Sequence, residues 1–166
     1  TPLYSSAASD VYKRQSAHFS MIEKVVGNNY TNEPMAFLLE DSEIQEEIEP
    51  YIMARIVDFE EFIRQYPFDI ISIHDDLHFI IDDPIMECNC GDFSLRWDAA
   101  GNTILERGGT RGETVRCDIQ TLTAMFYGYK RPTYLKRVER LQANDTAVRI
   151  LEDIIPIEQP YFSDYF

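Results

Sequence analysis

The sequence predicts an α+β domain, a mainly antiparallel sheet with helices packed on one face. Three observations predict it. Alternating strand patterns fill the stretch from Leu77 to Cys117, and helical spacing takes over after Asp118. Of the 166 residues 45% are hydrophobic, with ten Tyr and ten Phe, which is ample for one core. Strands first and helices afterwards make a segregated α+β sandwich rather than an alternating α/β sheet.

From Met53 the elements can be justified in order. Asp58 is placed to cap a helix through Glu60, Glu61, Phe62, Ile63 and Arg64, which Pro67 stops. Leu77–Asp82 reads as a strand, followed by Phe93, Leu95 and Trp97 alternating with Ser94 and Arg96. Ala99–Asn102 supplies a hairpin turn, returning along Thr103–Arg107. Gly108–Gly112 reads as a hairpin link to the strand Glu113–Cys117. It is not a phosphate loop, which needs Lys-Ser or Lys-Thr at the mouth of a helix where a strand follows here. Asp118 caps a helix through Leu122, Met125 and Phe126, closed by Gly128. Pro132 opens a second with Leu135, Val138 and Leu141 in register. Asn144 or Asp145 caps a third through Val148, Leu151 and Ile155, ended by Pro156.

The chain before Met53 reads differently. Residues 1–15, Thr1–Gln15, show neither periodicity, resemble translated sequencing adapter and are expected to pack poorly. Residues 16–52 contain an extended stretch from His18, a turn at Val25–Asn29 and a short apolar run at Met35–Leu39. Glu40–Glu49 then carries six acids and no base, a solvated loop or exposed edge. This piece is too small to bury its own apolar face.

The net charge of −14 argues against nucleic acid or an anionic membrane as partner and suits a cationic ligand, although solubility alone also accounts for it. No run of 18 apolar residues offers a membrane span, and no secretory leader is visible. Cys88, Cys90 and Cys117 form no disulfide framework, which suggests a cytoplasmic setting. Cys88-Asn89-Cys90 would put two thiols on one face of a strand, and His74 and His78 have helical ligand spacing, yet neither has further ligands nearby and no metal is expected. The doublets Asp75-Asp76 and Asp82-Asp83 read as solvated strand ends rather than acid–base dyads. Lys130, Arg131, Lys136, Arg137 and Arg140 form a basic patch, read as ordinary solvation or as an anionic contact on a neighbouring domain.

Two stretches and the terminus carry more than composition. Pro50–Asp58 with Phe62 and Tyr66-Pro67-Phe68 is one. Asp118–Tyr129 with the Gly128-Tyr129-Lys130-Arg131-Pro132 link and Leu135 is the other. The chain ends Pro160-Tyr161-Phe162-Ser163-Asp164-Tyr165-Phe166, with four aromatics in its last six residues. Together, with a looser fit at Asn89, Gly91 and Trp97, these anchors resemble the C-terminal part of the Eis (enhanced intracellular survival) family of bacterial GNAT N-acetyltransferases. That resemblance implies a sterol-carrier-protein-like domain over 53–166, preceded in 16–52 by the terminal strands of a truncated second GNAT domain. The first GNAT domain, with acetyl-CoA and a tyrosine general acid, would lie outside the sequence.

The resemblance further implies that the C-terminal carboxylate, on Phe166, is the general base toward a substrate amine, with Phe162, Asp164 and Tyr165 beside the substrate. The partners it implies are the missing GNAT domains, a cationic amine such as an aminoglycoside or lysine side chain, and further copies in a homo-oligomer. Acetyl-CoA would be co-substrate of the parent, and this stretch alone would bind none. A different class remains open, a stand-alone sterol-carrier-type module holding a lipid or acyl chain. That module needs an open apolar tunnel, whereas a scaffold domain should be filled.

Overall fold

The computed structural model describes residues 45–47, 53–69, 75–98 and 100–158. The chain divides into two units, Thr1–Tyr51 and Ile52–Phe166. In the first, residues 45–47 are exposed and without regular structure, and every regular element described belongs to the second. The expectations for Thr1–Gln15 and for strands in Ser16–Leu39 lie outside the described residues.

Helix α1 spans Phe59–Gln65. Asp58 caps it, its carboxylate accepting from the Glu61 amide at 3.0 Å. Phe59 and Ile63, one turn apart, are buried while Glu60, Glu61 and Arg64 stay at the polar face. Strands β1 (Leu77–Asp82), β2 (Gly91–Trp97), β3 (Thr103–Arg107), β4 (Glu113–Asp118) and the two-residue β5 (Gln142–Ala143) form one sheet in the order β3-β2-β1-β4-β5. Three of its pairings are antiparallel and β1 with β4 is parallel.

Alternation decides which face is buried. Leu77, Phe79 and Ile81 on β1, Phe93 and Leu95 on β2, and Val115 and Cys117 on β4 all point into one core. Against them lie helices α2 (Ile119–Phe126), α3 (Pro132–Arg137) and α4 (Asp145–Ile154). These bring Leu122, Met125, Leu135, Val148, Leu151 and Ile154 to the same cluster. Each such side chain contributes about 1.5–3 kcal/mol on full burial, against about 0.2–1 kcal/mol for an exposed ion pair, so this layer holds the domain. The expected caps are in place: Asp118 accepts from the Thr121 amide at 2.7 Å and Asn144 from that of Ala147 at 2.8 Å. Gly128 ends α2 at φ 68°.

Gly108–Gly112 is not a hairpin link. A hairpin would place β3 beside β4, but β3 is an edge strand and β4 lies beyond β2 and β1. The link therefore crosses two strands, on the side of the sheet to which Ser94 points. It runs close: a Cβ on Gly109 would lie 2.6 Å from that of Ser94, and one on Gly112 would lie 2.2 Å from the Asp76 carbonyl oxygen. The Ser94 hydroxyl donates to the Arg111 carbonyl at 2.8 Å and ties the crossing down.

Two further readings are corrected. Helix α3 ends at Arg137 rather than continuing through Val138 and Leu141. Glu139 turns left-handed at φ 59°, so the chain leaves the helix and Gln142 and Ala143 pair with Arg116 and Val115. Leu141 still reaches the core, from this irregular turn, while Val138 is 42% exposed. Cys88-Asn89-Cys90 is not a strand; Glu87–Asn89 makes a 3₁₀ turn, with Cys88 exposed and Asn89 buried.

Candidate functional site

Phe162, Asp164, Tyr165 and Phe166 lie outside the described residues, so the structure gives the base from which that tail departs rather than the tail itself. The base is held by one side chain. The Arg131 guanidinium donates to the carbonyls of Glu152, Ile155 and Pro156 at 2.7, 2.9 and 3.2 Å, and pairs with the Glu152 carboxylate at 2.7 Å. Arginine's planar fork suits this fan of acceptors, where a lysine ammonium could not span them. The Glu152 carbonyl in the last turn of α4 and the two carbonyls just past the helix are thereby satisfied by a cation at the negative end of the helix dipole. Burial alone would raise the Glu152 carboxyl, but the Thr133 amide and hydroxyl and Arg131 hold it below its ordinary value.

Asp83, directly after β1, is the centre of a second network. Its side chain is fully buried, and sequence reading had left it as a solvated strand end. Burial would raise its pKa, but bonds from the Asn89 amide, the backbone amides of Ile85 and Met86, and the Arg55 guanidinium outweigh that and lower it to about 2. Asn89 in turn accepts from the Phe59 amide at 2.9 Å and donates to the Val57 carbonyl at 3.1 Å. The network thus fixes the start of α1 against the β1–β2 connection. The available signal was Asn89, a polar residue between two cysteines.

The remaining candidates resolve one by one. His78, on β1, faces Asp92 with Nε2 2.7 Å from Oδ1, while His74 lies outside the described residues. Among the described residues no three His, Cys, Asp or Glu side chains gather to hold a metal. The basic patch is divided: Arg131 pairs with Glu152, Lys136 with Asp145 and Arg140 with Asp118. Lys130 instead sits over the rings of Tyr129 and Tyr134, and Arg137 over Tyr134. Cys117 is buried, and its thiol pKa is driven up by that burial and by neighbouring Asp118.

Space for a ligand lies at the surface. An open groove of about 350 Å³ runs along α1, lined by Val57, Phe62, Tyr66 and Pro67. A second, of about 590 Å³, lies over Asp82, Arg116, Asp118 and Arg140 at the carboxyl ends of the parallel strands. The layer between sheet and helices is different. Phe59 packs edge-on against Phe79 and Phe93 at centroid distances of 5.8 and 5.0 Å. Leu77, Phe79, Phe93, Leu95, Leu122 and Met125 are each 0% exposed, so no space the size of a water molecule reaches them. A lipid tunnel between the layers would have to be lined by such residues. Tyr66 closes the helix side, donating to the Phe126 carbonyl at 2.8 Å, and burial pushes its phenol up to about 12.

Among the described residues no helix is long and apolar enough to cross a membrane. No curated protein matches the chain. Solved structures do. A conserved protein of unknown function from Enterococcus faecalis V583, described as a probable N-acyltransferase, matches at TM-score 0.70 and 30% identity, over 82% of this chain and 34% of its own. A GCN5-related N-acetyltransferase from Anabaena variabilis ATCC 29413 matches at 0.54 and 29% identity, over 64% of this chain and 26% of its own. One from Kribbella flavida, at 0.55 and 24% identity, covers 68% of this chain and 28% of its own, a likeness of fold alone. The chain thus spans about a third or less of the solved proteins it matches. The model of the sterol carrier protein domain matches residues 59–163, the region that carries α1, the five-stranded sheet and the three later helices. By fold and by sequence, the chain belongs to the sterol carrier protein domain family.

Proposed function

We propose that this chain is the C-terminal part of an acetyl-CoA-dependent N-acetyltransferase of the Eis type, acting on cationic amines. The observation that carries the reading is the match along 82% of the chain to one third of a probable N-acyltransferase. The filled layer between sheet and helices supports a scaffold over the lipid-carrier alternative. In this reading residues 53–166 are the scaffold, 16–52 end the second GNAT domain and 1–15 are adapter-derived.

The chemistry needs a base. A protonated amine must lose a proton before or as its nitrogen attacks the thioester carbonyl. The C–N bond forms, the C–S bond breaks, and the leaving thiolate takes a proton from the tyrosine acid of the first GNAT domain. The Phe166 carboxylate attracts the ammonium and accepts its proton, with Phe162 and Tyr165 excluding water. Asp164 adds a second charge toward a polycation. Arg131, by fixing Ile155 and Pro156, sets where that tail begins.

The test is the parent protein. The reading frame upstream of Ser16 at the source locus should encode two GNAT-like domains, and the full-length product should acetylate a polyamine such as an aminoglycoside. A frame without those domains, or a full-length protein that transfers no acetyl group to any amine while binding long-chain lipid, would overturn the proposal.

A further inference from the structure

Cys88-Asn89-Cys90 forms neither a strand nor part of a metal cluster among the described residues, and its two thiols are placed differently. Cys88 is exposed. Cys90 is half-buried and turned inward: its Sγ accepts from the Asp83 amide at 3.2 Å and donates to the Asp83 carbonyl at 3.2 Å. Between them Asn89 is buried, donating to the Asp83 carboxylate and the Val57 carbonyl and accepting from the Phe59 amide. The residue that separates the thiols is the one that locks the start of α1 to the β1–β2 connection.

The local backbone keeps the thiols apart. Glu87–Asn89 is a 3₁₀ turn capped by Cys90, and in such a turn residues two positions apart point about 120° away from each other. A disulfide needs its Cβ atoms about 3.5–4.5 Å apart. Cys88 and Cys90 meet that condition only if the turn opens, and opening it withdraws Asn89 from Asp83, Val57 and Phe59. Joining the sulfurs also takes Cys90 off the Asp83 backbone. An internal disulfide and the Asp83–Asn89 network therefore exclude each other. With one residue between them, Cys90 stands beside an oxidised Cys88 at an effective concentration on the order of millimolar or above. Cys117 is buried and does not compete.

We propose that Cys88-Asn89-Cys90 is a redox modification site, oxidised by low-molecular-weight disulfides, whose closure releases the start of α1. The Cys88 thiolate attacks one sulfur of the reagent; the reagent S–S bond breaks and one thiolate leaves. The Cys90 thiolate then attacks the Cys88 sulfur, and the mixed disulfide breaks to release the second. Two electrons pass from the cysteines to the reagent, and the two cysteine protons end on its thiols. Without Asn89, the polar ties of Arg55–Phe59 to the rest of the domain are the Arg55–Asp83 pair and the Ile56 amide on the Thr123 hydroxyl. The site does not depend on the transferase reading.

The test uses the whole chain, reduced and then exposed to glutathione disulfide. The tryptic peptide Gln65–Arg96 holds both thiols and not Cys117. By mass spectrometry it should lose two hydrogens. The thermal midpoint should fall by roughly 5 °C or more, and amide exchange should quicken at Phe59, Ile85 and Met86. Dithiothreitol should reverse these changes. The coupling should also run the other way: Asp83→Asn, which loosens the turn, should form the disulfide roughly tenfold faster, the factor that about 1.4 kcal/mol gives. A reaction that stops at a glutathione adduct on Cys88 would overturn the proposal. So would an internal disulfide that leaves the midpoint and those amides unchanged, or an Asp83→Asn chain that oxidises no faster. If Asp83→Asn does not fold, Cys90→Ser takes its place. It should halt at the adduct with the Phe59, Ile85 and Met86 amides still protected, and loss of their protection there would overturn the coupling equally.

Discussion

Asn89 and Asp83 complete each other: the Asn89 amide donates to the buried Asp83 carboxylate at 2.9 Å, and its oxygen is thereby turned to accept from the Phe59 amide. Removing either leaves a buried polar group of the other unpaired. Asp83→Ala should cost about 3 kcal/mol, since it strands the Arg55 cation and the Ile85 and Met86 amides. Denaturant unfolding measures this, and an Asp83→Ala chain as stable as the parent would show the network to be dispensable.

The same carboxylate sets an acid limit. Its pKa is about 2 in the folded chain against 3.8 for the free group, so the folded state binds the proton less readily than the unfolded one. The contribution is complete above about pH 4 and is lost as pH falls through about 2. Thermal midpoints followed from pH 5 to pH 2 should fall, and Asp83→Asn should flatten part of that fall while lowering the midpoint at neutral pH.

Gly112→Ala should be among the most damaging single-methyl additions. The position holds φ +108°, and the new Cβ would meet the Asp76 carbonyl at 2.2 Å. A loss of about 3 kcal/mol or more is expected from strain and overpacking together. Gly101→Ala, where nothing lies within 4 Å but φ is also positive, should cost only about 1 kcal/mol. Comparable losses at the two sites would remove the close crossing as the cause.

Cys88 and Cys117 should react in sequence. Cys88 is exposed, whereas Cys117 is buried and its thiolate is disfavoured. Cys88 should be labelled by a thiol reagent at neutral pH while Cys117 waits for unfolding. Mass spectrometry of the labelled chain checks the order.

The proposed transferase function makes a prediction for the full-length protein: extending it beyond Phe166 or amidating that carboxylate should lower kcat about 10²–10⁴-fold with little change in stability. Tyr161→Ala should instead change both kcat and KM. A C-terminally extended enzyme with normal turnover would remove Phe166 from the mechanism.

Local signals in the sequence were sufficient where the physics is local. Asp58, Asp118 and Asn144 each cap the helix assigned to them, because a short polar side chain bonding a nearby amide needs no distant partner. The alternation of Phe93, Leu95 and Trp97 with Ser94 and Arg96 marked the core side of β2 for the same reason. The failures are all long-range. Whether Gly108–Gly112 turns back or crosses two strands depends on which strands pair. That Leu141 belongs to a turn leading into β5 follows from vacant bonding groups on β4. Asp83 looked solvated because the residues that bury it, Arg55 and Asn89, are 28 and 6 positions away.

The crossing of Gly108–Gly112 also fixes where this chain tolerates being opened. A link pressed onto Ser94 and Asp76 cannot accept inserted residues or new termini without lifting off the sheet. The described residues of the Asp98–Asn102 turn are tied by short-range bonds to Asp98, with Ala100 and Asn102 exposed, and carry no such constraint. Of the two glycine-bearing connections in this sheet, the one at Gly101 is therefore the place for a tag, a fluorophore or a permuted terminus, and the glycine-richer one is the place to leave intact.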